Sequence, residues 1–449
     1  MKLLRRCTWL LTLACACEAD EDPRAPREVN AEVSEHIATV VTVRWSSDEP
    51  TIGYVEYGPT EAMEHKTPLG KAESMEHEQL LLGLTADTLI HYRVVTWDGD
   101  DAAASGVRTI RTGDLPVGFP RLEVEGDGND LFTIVPVLGS TTAVVILDPD
   151  GKIVWHHRDD RELDFYRARL SVDGKSLLYN AASVSGDPAD NSELVRVALD
   201  GSESSSVEVP LLAHDFVEHP DGTLAAIVVE YRDVDGTEVR GDKIVEIDPE
   251  DGTQTTVWTS WDCFDPEEWP GDSPDHGWTF ANALDYEPAE EAYYLGMRNF
   301  SSIAKIDRGS GACEWVLGLS APTFEFADGS ARFLHQHQFH VRGDRIVVLD
   351  NEGSPGNESR VIEYQLDFET KTATEVWSYV SDPTVYTFVL GEPTRLDDGS
   401  TFVNWSSAGM LERVSEDGES LWKLSSPAGF AFGFHTLAPS LYPSDRGKD

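Results

Sequence analysis

The stretch AVVILDPDGKIVWHH, residues 143–157, sets a pattern that much of the chain repeats. It contains an apolar strand, an Asp-Gly turn and a second strand that carries Trp155. Asp-Gly pairs between β-branched and aromatic residues are typical of tight β-hairpins. The stretch therefore predicts a hairpin, and its tryptophan is expected to pack in the core.

Similar hairpins follow along the chain: RLSVDGKSLLYNA (169–181), KIVEIDPEDGTQTTVW (243–258), RLDDGSTFVNW (395–405) and RVSEDGESLWKL (413–424). Four-stranded units that recur about every fifty residues are typical of a β-propeller. Residues 118–443 are long enough for six blades. The sequence thus predicts an all-β chain with a six-bladed β-propeller. Four tryptophans are expected to pack its blades: Trp155, Trp258, Trp315 and Trp422.

The residues before the propeller have a different pattern. ATVVTVRWSS (38–47) alternates apolar and polar side chains, and GLTADTLIHYRV (83–94) gives a turn followed by a strand. Residues 24–113 resemble a fibronectin type III module, and we expect a small β-sandwich there. Such modules space or dock other domains, so no chemistry is expected from it.

Charge limits the classes of partner. Among 449 residues, 35 Lys and Arg face 81 Asp and Glu, which gives a net charge of −46. A surface this acidic repels nucleic acid and anionic lipid, so neither is expected as a partner. The carboxylates are spread along the chain, which indicates a solvated surface.

The first residues, MKLLRRCTWLLTLACACEAD, combine a basic start with a short apolar run and small residues. This pattern predicts an export signal over residues 1–17. Cys15 and Cys17 are candidates for the lipidated first residue of a bacterial lipoprotein, although neither has the usual leucine three positions upstream. We expect an exported protein, either periplasmic or tethered to the outer membrane or cell surface. Simple cleavage is the alternative to lipidation.

Two cysteines are left after the export signal, Cys263 and Cys313. In an oxidising compartment they are expected to pair, with two separate buried thiols as the alternative. A bridge that closes a loop of about fifty residues would stabilise the fold by roughly 4 kcal/mol.

A propeller gathers residues of its inner strands at one end of a central channel. The candidates are polar residues near strand ends: His214, His276, Asn282, Arg298, His335, His337 and His435. On an extended strand His335 and His337 would share one face, and His340 would lie on the other. No carboxylate or cysteine follows at a ligand-like spacing, so we predict no metal and no cofactor. His340 is expected to be a buried, hydrogen-bonded structural histidine.

Several segments together carry a resemblance. They are AHDFVEHPDG (213–222), WTFANALDYEP (278–288), MRNFSSIAKID (297–307), WVLG (315–318), QHQFHVRGDRIVVLDNEG (336–353), SRVIEYQLD (359–367) and GSTFVNWSSAG (399–409). In order and content they resemble bacterial aryl-sulfate sulfotransferases of the arylsulfotransferase family. The resemblance implies a six-bladed propeller that moves a sulfuryl group from an aryl sulfate to a phenol. It also implies a sulfated-histidine intermediate and no nucleotide sulfate donor.

The resemblance assigns roles to individual residues. His337 matches the nucleophile, while Arg298 and His214 match residues that bind the sulfonate oxygens. Sulfuryl transfer is expected to have a loose transition state, by analogy with phosphoryl transfer, so a cationic clamp and an in-line nucleophile do most of the work. Arginine offers a rigid fork of donors, and a neutral imidazole is accessible near pH 7.

One position departs from the family pattern. The family's W-x-H-x-N element is present with Asn282, but its histidine is replaced by Phe280. The missing proton donor is supplied by His276, Tyr286 or His335, or else the chemistry has drifted and the propeller only binds. Phe280 is also a candidate to line a pocket for an aromatic acceptor.

Two further residues are supporting candidates. Asp350 is a candidate to orient His337 through a hydrogen bond, with a turn role as the alternative. His435 precedes the last predicted strand and is a candidate to face the channel.

Overall fold

The computed structural model describes residues 22–99, 101–140, 142–159, 163–183, 189–265, 277–352 and 358–443. They form two compact units, which contain residues 22–31, 43–79 and 91–109 in one case and 32–42, 80–90 and 110–443 in the other. The predicted export signal with both lipidation candidates, and His276, lie outside the described residues.

The N-terminal part of the chain forms seven strands: β1 (Arg27–Val33), β2 (Val41–Gly58), β3 (His65–Lys66), β4 (Ser74–Leu81), β5 (Leu89–Trp97), β6 (Ala102–Ala104) and β7 (Arg108–Arg111). The main order is β1-β2-β5-β6, with β3 and β4 on β2 and β7 on β5. Val41, Val43 and Trp45 are buried, as their alternation predicts. The fibronectin type III assignment stays a prediction.

In the rest of the described residues, the regular secondary structure is almost entirely β-strand. It contains β8 (Glu123–Gly126), β9 (Phe132–Leu138), β10 (Ala143–Leu147), β11 (Ile153–His157), β12 (Asp164–Leu170), β13 (Ser176–Ala182), β14 (Glu193–Ala198), β15 (Ser204–Glu208), β16 (Leu212–Glu218), β17 (Leu224–Val234), β18 (Thr237–Ile247), β19 (Gln254–Thr259), β20 (Ala281–Glu287), β21 (Ala292–Met297), β22 (Ser302–Asp307), β23 (Cys313–Gly318), β24 (Glu325–Phe326), β25 (Phe339–Arg342), β26 (Arg345–Asp350), β27 (Arg360–Asp367), β28 (Thr372–Tyr379), β29 (Glu392–Arg395), β30 (Thr401–Asn404), β31 (Met410–Val414), β32 (Ser420–Ser425), β33 (Ala431–Phe432) and β34 (Thr436–Ala438). A four-residue helix α1 (Ser260–Cys263) follows β19, and one 3₁₀ turn spans Ser406–Ala408.

These strands form six sheets, which are the six blades of a β-propeller. Blades two, three and four are β12-β13-β14-β15, β16-β17-β18-β19 and β20-β21-β22-β23. Blade five is β25-β26-β27-β28 with β24 beside β28, and blade six is β29-β30-β31-β32 with β8 at its edge. In blade one, β33 and β34 from the end of the chain pair with β9, followed by β10 and β11. The predicted all-β, six-bladed propeller is confirmed.

The tryptophans that end the predicted hairpins pack the blades, as expected. Trp155, Trp258, Trp315 and Trp422 lie on the fourth strands β11, β19, β23 and β32, and none is more than 7% exposed. The Trp155 Nε1–H donates to the Leu199 carbonyl at 2.8 Å, so its polar edge is satisfied in the core. Within the described ranges, no helix has the length and apolar character needed to cross a bilayer.

Candidate active site

Four blades begin with a residue in the left-handed backbone region. These residues precede the inner strands of blades three to six, and they are Leu211 (φ 63°), Phe280 (φ 49°), His335 (φ 49°) and Leu390 (φ 56°). A non-glycine residue at positive φ is uncommon, and such strain concentrates at functional sites. Two of the four positions, Phe280 and His335, were singled out by the sequence.

His337 follows two residues after one of these turns and is almost completely buried, at 1% exposed. Its Nδ1 lies 2.9 Å from Oδ1 of Asn351. The amide nitrogen of Asn351 donates to the carbonyls of Thr387 and Leu390, at 2.8 and 3.0 Å. These two acceptors orient the amide so that its oxygen faces His337. The His337 Nδ1 therefore carries the proton, and Nε2 keeps the lone pair that a nucleophile needs.

Burial also keeps the His337 ring neutral. The pKa of His337 is lowered to about 3: burial is the largest cause, the charges of Arg298 and His335 lower it as well, and the Asn351 hydrogen bond acts in the opposite direction. A neutral imidazole is therefore present at every pH near neutrality.

The residues that the sequence assigned to sulfonate binding surround Phe280. The His214 ring meets the Phe280 ring edge-on, with 5.1 Å between centroids, and lies 6.3 Å from the His337 ring. The guanidinium carbon of Arg298 is 5.9 Å from the centre of the Phe280 ring. The structure thus brings His337, His214 and Arg298 together around the phenylalanine.

Arg298 is held in place by its backbone. It follows β21, and its N–H donates to the Phe280 carbonyl at 3.0 Å, which ties the MRN turn to the start of β20. Burial lowers the pKa of Arg298, and Glu352 and Tyr386 act against this shift. Because a guanidinium stays charged in proteins, Arg298 presents a partly desolvated cation to the site.

Arg240, on β18, was not identified from the sequence. Its guanidinium carbon lies 5.5 Å from the centre of the Phe280 ring, and that of Arg298 lies 5.9 Å from the same centre. Both distances fall within the range of cation–π attraction. The ring that replaces the family histidine therefore contacts two cations. No local motif marks Arg240, because its approach to Phe280 depends on how blades three and four pack.

His335 differs from the expected strand geometry. Because its φ is positive and β25 begins only at Phe339, His335 and His337 do not share a face of one extended strand. The His335 Nδ1 instead lies 2.7 Å from a carboxylate oxygen of Glu352, and 37% of the side chain is exposed. The other carboxylate oxygen of Glu352 is 3.8 Å from Arg298. Glu352 was also missed from the sequence.

Two predicted site residues have supporting positions. Asn282 is fully buried, and its Nδ2 donates to the Gln336 carbonyl at 2.9 Å, so it fixes the segment before His337. The hydrogen bond proposed for Asp350 is made by Asn351 instead. The Asp350 carboxylate accepts from the Leu334 N–H and from Nε of Arg360, both at 2.9 Å, and this explains its turn role.

His435 lies in a buried charge network with Arg167. Its carbonyl accepts from Nη1 of Arg167 at 2.5 Å, and its Nε2 contacts the Thr394 hydroxyl at 2.9 Å. Burial, with the charges of Arg167 and His340, holds the pKa of His435 well below its usual value. His435 is therefore buried in the network beside Arg167, and its orientation towards the channel stays a prediction.

Three other predictions have clear outcomes. His340 Nδ1 accepts from the Arg395 N–H at 3.1 Å, so this histidine is hydrogen-bonded as expected, although only half-buried. Tyr286 is four residues beyond Asn282 on β20, about 14 Å along the strand, where its hydroxyl accepts from Arg308 at 3.3 Å. Its ring packs against His219, with 4.1 Å between centroids, so the structure does not place it beside Asn282. The structure joins the two cysteines in a Cys263–Cys313 disulfide.

The described residues offer little to a metal. Within those ranges, no three His, Cys, Asp or Glu side chains are grouped as a metal site. The cluster is instead a buried imidazole beside cationic side chains, which suits the transfer of an anionic group.

Comparison with known structures returns proteins of low similarity. A protein of unknown function from Bacteroides caccae is 12% identical, with 68% of this chain and 98% of that chain covered and a TM-score of 0.44. A periplasmic gluconolactonase from Pseudomonas aeruginosa, PpgL, is 14% identical, with 86% and 99% covered and a TM-score of 0.40. A catalytically inactive virginiamycin B lyase from Staphylococcus aureus is 13% identical, with 71% and 98% covered and a TM-score of 0.38. Similarity at this level carries no functional information. No curated protein matches the chain.

The family comparison is more informative. The family model described as Arylsulfotransferase (ASST) matches residues 124–424, which is more than half of the chain. The match runs from within β8 to within β32 and includes His214, Arg298 and His337. The chain belongs to the arylsulfotransferase (ASST) family.

Proposed function

We propose that this protein is an exported aryl-sulfate sulfotransferase that works through a sulfated His337. The observation that carries the proposal is the arrangement of His337, whose Nδ1 proton is fixed by Asn351 and whose Nε2 is thereby the nucleophile. Family membership supports an arylsulfotransferase-like activity on small aryl sulfates and phenols. The roles of the individual residues and the export of the chain are part of the proposal.

The reaction has two displacement steps. In the first, His337 Nε2 attacks sulfur, the N–S bond forms, and the S–O bond to the phenol breaks. In the second, the oxygen of an acceptor phenol attacks sulfur, its proton replaces the one taken up by the departing phenol oxygen in the first step, and the N–S bond breaks, which restores the neutral imidazole. Arg298 and His214 bind the three sulfonate oxygens, on which negative charge is spread in the transition state.

The test uses the chain without its predicted export signal. With p-nitrophenyl sulfate and excess phenol, we expect nitrophenol release that depends on the acceptor, and a sulfuryl adduct on His337 by mass spectrometry. His337→Gln should lower kcat by roughly 10⁴-fold or more, in the range seen when a covalent nucleophile is removed. His65→Gln, at an exposed histidine of the N-terminal unit, is the matched control. Transfer that survives in His337→Gln would exclude this histidine as the nucleophile.

A second candidate function is a propeller that binds aryl sulfates without turning them over. Phe280 favours it, since an apolar ring cannot donate a proton, and loss of one such donor typically costs about 10²–10³ in rate. Calorimetry separates the two functions. Binding of phenyl sulfate that is lost in Arg298→Ala, with no transfer to any phenol tested, would support the binding protein.

Export is tested separately. We propose that the first residues direct the chain out of the cytoplasm, with a lipid on Cys15 or Cys17 as the tether. Expression in a bacterium with labelled palmitate gives a labelled membrane fraction if the tether is present. Export without label supports simple cleavage. Retention in the cytoplasm would contradict the proposal.

A further inference from the structure

Glu352 connects two parts of the site. Its carboxylate contacts the Nδ1 of His335 at 2.7 Å and approaches Arg298 at 3.8 Å. A histidine with a carboxylate beside one ring nitrogen is a common arrangement for acid–base catalysis, because the carboxylate can orient the ring. The contact leaves Nε2 as the ring nitrogen that can exchange a proton with a substrate.

The position of His335 suits the leaving group. His337 is 1% exposed, while the His335 side chain is 37% exposed. In-line displacement places the departing oxygen on the side of sulfur opposite to the nucleophile. Because His337 is buried, that oxygen is expected on the more exposed side of the site, and the His335 side chain is the more exposed of the two histidines.

The backbone fixes His335 in this place. Its φ is 49°, and its N–H donates to the Ser301 hydroxyl at 3.1 Å. Glu352 contacts both His335 and Arg298, so His335 lies beside the arginine that is proposed to bind the sulfonate. Phe280 stands where the family pattern has a histidine, so that proton donor is missing. His335, whose side chain is partly exposed, can supply a donor instead.

We infer that His335, paired with Glu352, is the general acid and base of the transfer; this inference rests on the proposed sulfuryl transfer through His337. In the first step, the His335 imidazolium gives its Nε2 proton to the departing phenolic oxygen as the S–O bond breaks. In the second, neutral His335 takes the proton of the acceptor phenol as its oxygen attacks sulfur. One proton and one sulfuryl group are thus moved, with no co-reactant.

The dependence of the rate on the leaving group tests the inference. p-Nitrophenolate is a weak base and departs without being protonated, whereas p-methoxyphenolate is a stronger base and needs a proton to depart. His335→Asn should lower kcat/KM for p-methoxyphenyl sulfate by about 10²–10⁴, the usual contribution of acid–base catalysis. For p-nitrophenyl sulfate the loss should be no more than a few-fold. Glu352→Gln should show the same selectivity to a smaller degree. His65→Asn and Glu369→Gln, both at exposed positions, are the matched controls.

The outcomes are distinct. If both variants slow the two donors equally, or leave both unchanged, His335 is not the acid, while the sulfuryl adduct on His337 still supports the proposed function. If the wild-type chain gives neither transfer nor adduct, the proposed function and the inference both fail. A selective loss in both variants, with the His337 adduct from p-nitrophenyl sulfate retained, supports the pair.

Discussion

Asn351 shows how one residue sets the chemistry of another. Its amide is fixed by two backbone carbonyls on the segment before β29, and it holds the proton on His337 Nδ1. Without it the ring is free to protonate at Nε2, which removes the nucleophilic lone pair. Asn351 lies in the DNEG segment (350–353), in which the sequence offers the neighbouring Asp350 as the candidate to orient His337.

We predict that Asn351→Ala lowers the rate of His337 sulfation by about 10²-fold or more, since a wrong tautomer in the serine protease triad costs about 10⁴. KM for the donor should change little, because Asn351 does not face the sulfonate. Single-turnover release of nitrophenol measures the rate. An unchanged rate would mean that Asn351 does not select the tautomer.

The pKa of His337 gives a second prediction. Burial lowers this pKa to about 3, and the neutral ring is the nucleophile, so acidification does not remove it near neutrality. With p-nitrophenyl sulfate, the single-turnover rate should stay level between about pH 8 and pH 5. A histidine of ordinary pKa would instead lose activity below about pH 6.5. A tenfold fall per pH unit in that range would contradict the prediction.

At the scale of elements, the disulfide links two blades. Cys263 ends α1, directly after the last strand of blade three, and Cys313 begins β23, the last strand of blade four. The sequence left a bridge and two free thiols as alternatives, and the structure has the bridge. The two cysteines are 50 positions apart, so the bridge closes a long loop.

We predict that replacing both cysteines with serine lowers the free energy of unfolding by about 4 kcal/mol, the loop-closure value for this length. Denaturant titration of the oxidised proteins measures the difference. The wild-type chain under reducing conditions is the control and should match the double variant. Equal stability of the oxidised proteins would show that the bridge contributes nothing.

At the scale of the whole molecule, one buried network joins the inner strands. Asp215 of blade three accepts from Arg167 of blade two at 2.9 Å, from the Leu284 N–H of blade four at 3.1 Å, and from Gln338 of blade five. Arg167 also donates to Glu392 of blade six at 2.9 and 3.0 Å. Arg167 also donates to the carbonyl of His435, which lies just before β34 of blade one. Arg167 of blade two therefore contacts residues of blades one, three and six.

We predict that Arg167→Met lowers the free energy of unfolding by about 3–5 kcal/mol, because it leaves Glu392 buried without its cation and Asp215 with only Arg169, at 3.7 Å. Arg342→Met is the control, since its ion pair with Asp397 is solvent-exposed and should contribute at most about 1 kcal/mol. Equilibrium denaturation measures both. If Arg167→Met lowers the free energy of unfolding no more than Arg342→Met does, the network does not stabilise the closed propeller.

The closure of the ring was outside what the sequence predicted. Turn chemistry and tryptophan spacing indicated the number of blades, but not that β33 and β34 pair with β9 or that β8 joins blade six. These strands are short and come from distant parts of the chain. Their pairing depends on edges that exist only once the other blades have formed.

The sequence by itself determined the class of fold and the family, because hairpin turns and buried tryptophans are local signals that recur with each blade. It also identified His337, His214 and Arg298, since each lies in a recognisable motif. Only the tertiary structure decided that Asn351 contacts His337, that Glu352 approaches Arg298, and that Arg240 lies over Phe280. Each of these gains its role by a contact formed as the chain folds, and no spacing along the chain encodes the direction in which a side chain points once blades have packed.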